Sequence, residues 1–156
     1  MKMSPQDKKL DHMLRSSTLV AGGFMGRDRR SVREIIEADA AALAACGLNA
    51  AMVARRMREL TDIGRRGLGT WVDADGERLQ VMSEDYKGML VCPWGHAGHY
   101  HKRSTVVKAG ADERMLTWSD LNIHLIEAHG FFEGRGSAFR IEPAQAAEIL
   151  FGKTTP

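Results

Sequence analysis

Two cysteines in 156 residues are too few for the disulfide framework of a small secreted domain. Cys46 lies in an alanine-rich stretch and Cys92 among histidines, so a reduced, cytoplasmic setting is expected. A large excess of one charge is also missing. The 22 Lys and Arg against 20 Asp and Glu leave a formal net charge of +2, and a pI of about 8.7 is only mildly basic, short of what polyanion binding advertises in its totals. Long apolar runs are lacking too. Near the N-terminus the longest uncharged stretch, Ser16 to Gly26, contains three glycines and is too short and too broken to cross a bilayer. No signal-peptide order with a small-residue cleavage site stands out, so no membrane partner is expected. There is no internal repeat and no low-complexity segment.

What is present fits one folded domain. Hydrophobic content of 44% and charged content of 27% are ordinary for a globular chain. Residues 1–30 read as an N-terminal arm with a short helix at Leu10 to Arg15, and Leu14, Leu19, Val20, Phe24 and Met25 are its packing residues. The remaining 31–156 form a single domain. Ser31 and Glu34 predict a capping box that starts a helix with the apolar face Val32, Ile36, Ala40 and Leu43, flanked by Ile35. Gly47 ends it, and Asn49 caps a second helix to about Arg66 with the face Val53, Met57, Leu60 and Ile63. Together these make a helix hairpin over 31–66, with Arg55 meeting Glu59, and Asp62 meeting Arg58 or Arg66, at helical spacing.

The period then becomes alternating. Strands around Trp71-Val72 and Leu79-Val81 flank the turn Asp73-Ala74-Asp75-Gly76. A third is expected at Met89 to Cys92, a fourth from His99 to Lys108, a turn at Gly110-Ala111-Asp112-Glu113, and a short strand at Met115-Leu116. A helix from about Trp118, capped by Thr117 or Ser119, carries Trp118, Leu121, Leu125 and Ala128 as its core stripe and ends at Gly130. Pro143 opens a terminal helix over 143–151.

The strongest chemical signal lies between Cys92 and His129, which hold one cysteine and five of the six histidines. Cys92-x3-His96 and His124-x4-His129 form two close pairs, separated by 27 residues, of the ligand types zinc prefers. No carboxylate cluster accompanies them, which disfavours magnesium and calcium. His99 and His101 are weaker candidates. On an ideal helix His124 and His129 point roughly 140° apart, a strain that loosening of the last turn before Gly130 would relieve.

This stretch resembles the two-cysteine two-histidine zinc finger, in which a strand-turn-strand unit carries one ligand pair and a helix the other. The resemblance covers Cys92 to His129, with His96 in place of the second cysteine and a spacing longer than the usual dozen or so. An added strand-turn-strand between Tyr100 and Leu116 absorbs the excess. The resemblance implies one structural zinc in a unit spanning 88–130. Four protein ligands close the shell and make the site structural; three would leave room for a zinc-bound water, with Glu127 as the general-base candidate of a metal-dependent hydrolase. Cys92 as an activated nucleophile is a further alternative, without an identifiable oxyanion hole or orienting residue.

Arginines cluster at Arg27, Arg29, Arg30 and Arg33, and again at Arg55, Arg56, Arg58, Arg65 and Arg66, with Lys102, Arg103 and Lys108 as a third basic group. The second cluster is the candidate nucleic-acid-binding face, although Leu43 and Arg56 depart from the helix-turn-helix pattern and carboxylates stand at pairing distance. Gly22-Gly23-Phe24-Met25-Gly26-Arg27 and Gly134-Arg135-Gly136 match neither phosphate-loop nor dinucleotide spacing and read as flexible loops. The expected fold class is α+β: an N-terminal helix hairpin packed with a small antiparallel sheet and a zinc-finger-like C-terminal unit. The expected role is binding or adaptor work with a protein or nucleic-acid partner.

Overall fold

A computed structural model describes residues 2–110 and 114–153. It is α+β, with the order α1 (Pro5–Arg15), α2 (Val32–Ala45), α3 (Ala50–Arg65), β1 (Val72–Ala74), β2 (Leu79–Leu90), β3 (Tyr100–Ala109), β4 (Arg114–Ser119), α4 (Asp120–His129) and α5 (Pro143–Phe151). The strands form one antiparallel meander in sequence order. Among the described residues no single helix is long and apolar enough to cross a membrane. Of the expected turn at Gly110 to Glu113, residues 111–113 lie outside the described residues.

Local capping explains the helix starts. Ser31, Asn49 and Ser119 each accept the backbone N–H of the third helical residue, which satisfies one of the free donors of a helix N-terminus. At Ser119 the box is reciprocal with Asn122. At Ser31 it is not: Glu34 takes the serine hydroxyl at 3.2 Å instead of the backbone N–H. Across the Gly47 connection the axes of α2 and α3 turn by 81°, so the hairpin is open and it is α3 that lies along the sheet. Gly64 makes that contact close, because a Cβ there would stand 2.8 Å from both Ser83 Oγ and Val81 Cγ1.

The first core lies between α3, α5 and one face of the sheet, where Leu79, Val81, Val107, Leu116 and Trp118 meet Val53, Met57 and Leu60. Trp118 belongs to β4 and not to the following helix. Its indole N–H donates to Thr61 Oγ1 at 2.9 Å, and this buried hydrogen bond to α3 holds it in the strand. The second core is smaller. Leu14, Phe24, Met25, Val32, Ile35, Leu121, Leu125, Phe131 and Cys92 close it, with Leu90, Trp94 and Tyr100 packed against them. The arm is therefore packed into the fold through Leu14, Phe24 and Met25, and its helix starts five residues before Leu10.

The long hairpin β2–β3 joins the two cores. The expected second and third strands are one strand, interrupted by a register shift between Asp85 and Met89, where Gly88 has φ +111°. Such a bulge bends a strand and increases its twist. Strand alternation puts Leu79, Val81 and Val107 on one face and the paired Leu90 and Tyr100 on the other. The near half thus serves the first core and the far half the second. Arg103 stitches the bend to α4, donating to Asp85 at 2.6 Å and to Asp120 at 2.7 Å.

Two differences from the expected helical stripes have one cause each. On α2 the inward face is Val32, Ile35, Asp39 and Leu43, so Ala40 is exposed and a carboxylate is inside. Arg140, 101 residues away, holds Asp39 with two hydrogen bonds of 2.5 and 2.8 Å. On α4, Ala128 is exposed, and because the helix lies between the two cores it buries Leu121 and Leu125 in one and Ile123 and Ile126 in the other.

Glu133 is the other buried acid. It has φ +68° and accepts from Asn122 Nδ2 and, at 2.8 Å, from Ser137 Oγ. Its carbonyl accepts from Arg140 at 2.8 Å. Burial dominates these contacts and pushes its carboxyl up to about 7 from 4.5. The native state therefore keeps a proton that the unfolded chain releases, and stability from this group is full below about pH 4.5 and is lost as the pH rises to about 7. Comparison of wild type with Glu133→Gln by urea unfolding across that window should show the difference changing in favour of the variant by about 2 to 3 kcal/mol. Parallel pH profiles would contradict the burial of an ionisable Glu133.

Candidate metal centre

The loop from β2 to β3 and the last turns of α4 meet beside the second core. Cys92-Pro93-Trp94-Gly95 forms a tight turn, with Gly95 N–H donating to the Cys92 carbonyl at 3.0 Å. Proline presets the second position of such a turn, and Gly95 at φ +85° takes a conformation other residues resist. The turn points the buried Cys92 thiol inward and leaves His96 on the solvent side. On α4, Ser119 starts the helix and Gly130 ends it in the left-handed region, placing His124 mid-helix and His129 at its last position.

These elements bring Cys92, His96, His124 and His129 together, with one ligand atom from each lying within 4.8 Å of all the others. Cys92 Sγ and His129 Nε2 are 3.4 Å apart. Zinc bonds of about 2.3 Å to sulfur and 2.0 to 2.1 Å to nitrogen, at tetrahedral angles, put two such ligands about 3.5 Å apart. The widest pair needs to close by roughly 1 Å to fit the same geometry. A second observation concerns His124: its Nε2 is buried and has no hydrogen-bond partner among the described residues. A buried nitrogen without a partner is costly, and a metal ion would satisfy it. The four side chains form a candidate metal-binding cluster whose donors suit zinc.

The angular difficulty on α4 is met without unwinding. The helix stays regular through His129, and the two imidazoles reach toward each other to a centroid distance of 5.3 Å. Aromatic partners from the hairpin fix both rings. Trp94 stacks on His129 at 4.0 Å and 8° between planes, and Tyr100 stacks on His124 at 4.6 Å. Burial first, and then the neighbouring His96, hold the His124 imidazole below its ordinary pKa; the same causes with His124 added bring His129 down to about 4 from 6.5. At neutral pH both rings are therefore uncharged, the form that ligates metals.

The other site candidates fall elsewhere. His99 and His101 are exposed and outside the cluster. Glu127 is half-exposed and accepts from Arg58 Nη1 at 2.9 Å, and that guanidinium holds its carboxyl below the usual range. A carboxylate so paired is a poor base. On α3 and at its end, Arg55, Arg58, Arg65 and Arg66 are exposed and Arg56 is half-buried. Arg56 donates to the Leu150 carbonyl at 3.0 Å and pairs with Glu59 and Asp75, so Glu59 is taken by Arg56 rather than by Arg55. Arg65 and Arg66 border a hollow of about 650 Å³ with Leu68 and Tyr86. Sequence reasoning missed Trp94 and Tyr100, whose signal was an aromatic two residues after Cys92 and another between two histidines.

No protein-family model matches the chain, and no similar protein was found among curated proteins or solved structures.

The stacking makes the site optically readable. Adding zinc to metal-free protein should shift tryptophan emission, and Trp94→Phe should abolish that shift while Trp71→Phe keeps it. An unchanged emission, or a shift that survives in Trp94→Phe, would contradict this geometry.

Proposed function

We propose that this protein is a small binding or adaptor module braced by one structural zinc ion, with Cys92, His96, His124 and His129 as a closed four-ligand shell. The observation that carries this reading is the convergence of four zinc-type donors from two separate elements. A closed shell leaves no position for a reactive water, and the nearest carboxylate in sequence, Glu127, is engaged by Arg58. The zinc clamps a loop at the hairpin tip to a helix end, as in the two-cysteine two-histidine finger that this stretch resembles. Two unpaired cysteines fit a reduced, cytoplasmic compartment, where a thiolate ligand survives.

Elemental analysis of the purified chain should find one zinc per protein. His124→Ala and His129→Ala should each lose it, and Cys92 should resist alkylation until a chelator is added. Sub-stoichiometric metal together with a Cys92 that alkylates freely and leaves the fold intact would overturn the proposal. A stoichiometric metal that turns over ester or phosphoester substrates would favour the hydrolase reading instead.

A further inference from the structure

Two arginine-bearing loops, far apart in sequence, are locked together beside the second core. Gly134 N–H donates to the Phe24 carbonyl and Arg27 N–H to the Arg135 carbonyl, both at 2.9 Å. Arg135 N–H donates to Asp28 Oδ2 at 3.1 Å. Only glycine allows this approach, since a Cβ at Gly26 would collide with the backbone at Ser137 and one at Gly134 with the Met25 carbonyl. The expected flexible loops are therefore a tightly fitted pair. Between them lies a hollow of about 320 Å³ lined by Arg27, Asp28, Arg29, Arg30, Arg135 and Gly136.

The charges of this hollow do not cancel. Asp28 is buried and its carboxylate accepts from Arg30 Nε at 2.9 Å and Nη2 at 2.7 Å, so that one acid is matched by one arginine. Glu142, the other acid within electrostatic reach of Arg135, is held by Arg140 at 3.1 Å. Arg27, Arg29 and Arg135 make no ion pair among the described residues. The backbone N–H groups of Arg29 and Gly136 likewise have no hydrogen-bond partner there. Gly136 leaves room for the Arg27 side chain, whose Nε lies 3.4 Å from where a Cβ would stand. Three guanidinium groups without an ion pair thus line one fitted hollow and leave positive charge there that an anion would offset.

We propose that this hollow binds a phosphate group, gripped by Arg27, Arg29 and Arg135. The planar fork of arginine matches phosphate oxygens two at a time, and the Asp28–Arg30 pair supplies a neutral floor. The phosphate comes either as a free phosphate or small ester or as the backbone of a nucleic acid. None of the candidate metal ligands lines the hollow, so the site stands or falls independently of zinc.

Inorganic phosphate titrated into the full chain at low ionic strength, followed by calorimetry, is expected to bind at one site per chain. Arg27→Gln and Arg135→Gln should each weaken it about tenfold with an unchanged melting temperature, and Arg29→Gln provides the same test if either variant fails to fold. Lys87→Gln, at an exposed lysine outside the hollow, should leave the affinity as it is. Absence of saturable binding overturns the proposal, and so does equal weakening by Lys87→Gln, which would mark a diffuse charge effect. A short single-stranded oligonucleotide that displaces the phosphate, with the same dependence on the variants, identifies a nucleic-acid backbone as the source. Phosphate binding that the oligonucleotide does not displace identifies a free phosphate or small ester.

Discussion

The contact on which the C-terminal half depends is the meeting of the β2–β3 loop with the end of α4. The far half of that hairpin has little else to hold it. From Glu84 to Met89 strand β2 is exposed, and the bulge at Gly88 interrupts its pairing with β3. What fixes its tip is Cys92 in the second core, the stacking of Trp94 and Tyr100 on two imidazoles, and the four donors that converge there. The second core is small, and a small core gains most from an added staple. A metal at this point would tie the hairpin tip to α4, whose Leu121 and Leu125 share the second core with Cys92 and the arm.

Buried polar pairs do similar work on the other side of α4. The segment after Gly130 has no regular structure of its own, yet Phe131, Phe132 and Ile141 are buried. Its path is set by Arg140, which reaches Asp39 on α2 and the Glu133 carbonyl, and by Glu133, which reaches Asn122 on α4. Breaking such a buried pair leaves a stranded charge, which costs far more than a lost surface ion pair. The same segment then delivers Arg135 to Asp28. Metal cluster, buried acids and arginine hollow thus each take some of their residues from one stretch of chain, from Ser119 to Glu142.

Much of this was legible in the sequence because it rests on local rules. Ser31, Asn49, Gly47, Gly130 and Pro143 mark helix boundaries through the chemistry of capping, and each falls at or beside the boundary observed. The four candidate ligands were legible as well, since cysteine and histidine in close pairs are rare without a reason. What was not legible depends on partners distant in the chain. Nothing near Asp39 announces Arg140, so periodicity alone runs the stripe through Ala40. Trp118 looks like the first residue of a helix until Thr61 is seen to hold it in β4. Two glycine-arginine loops look flexible when read singly and prove complementary when folded. The polar run Glu84 to Lys87 hid the continuity of β2, because an exposed strand lacks the alternation that makes a half-buried one visible.

X-ray absorption at the zinc edge of the purified chain tests the central claim most directly. The account predicts one sulfur neighbour at about 2.3 Å and three imidazole nitrogens at about 2.0 to 2.1 Å, with no oxygen in the first shell. A shell without sulfur, or one in which a water oxygen replaces an imidazole, would contradict it.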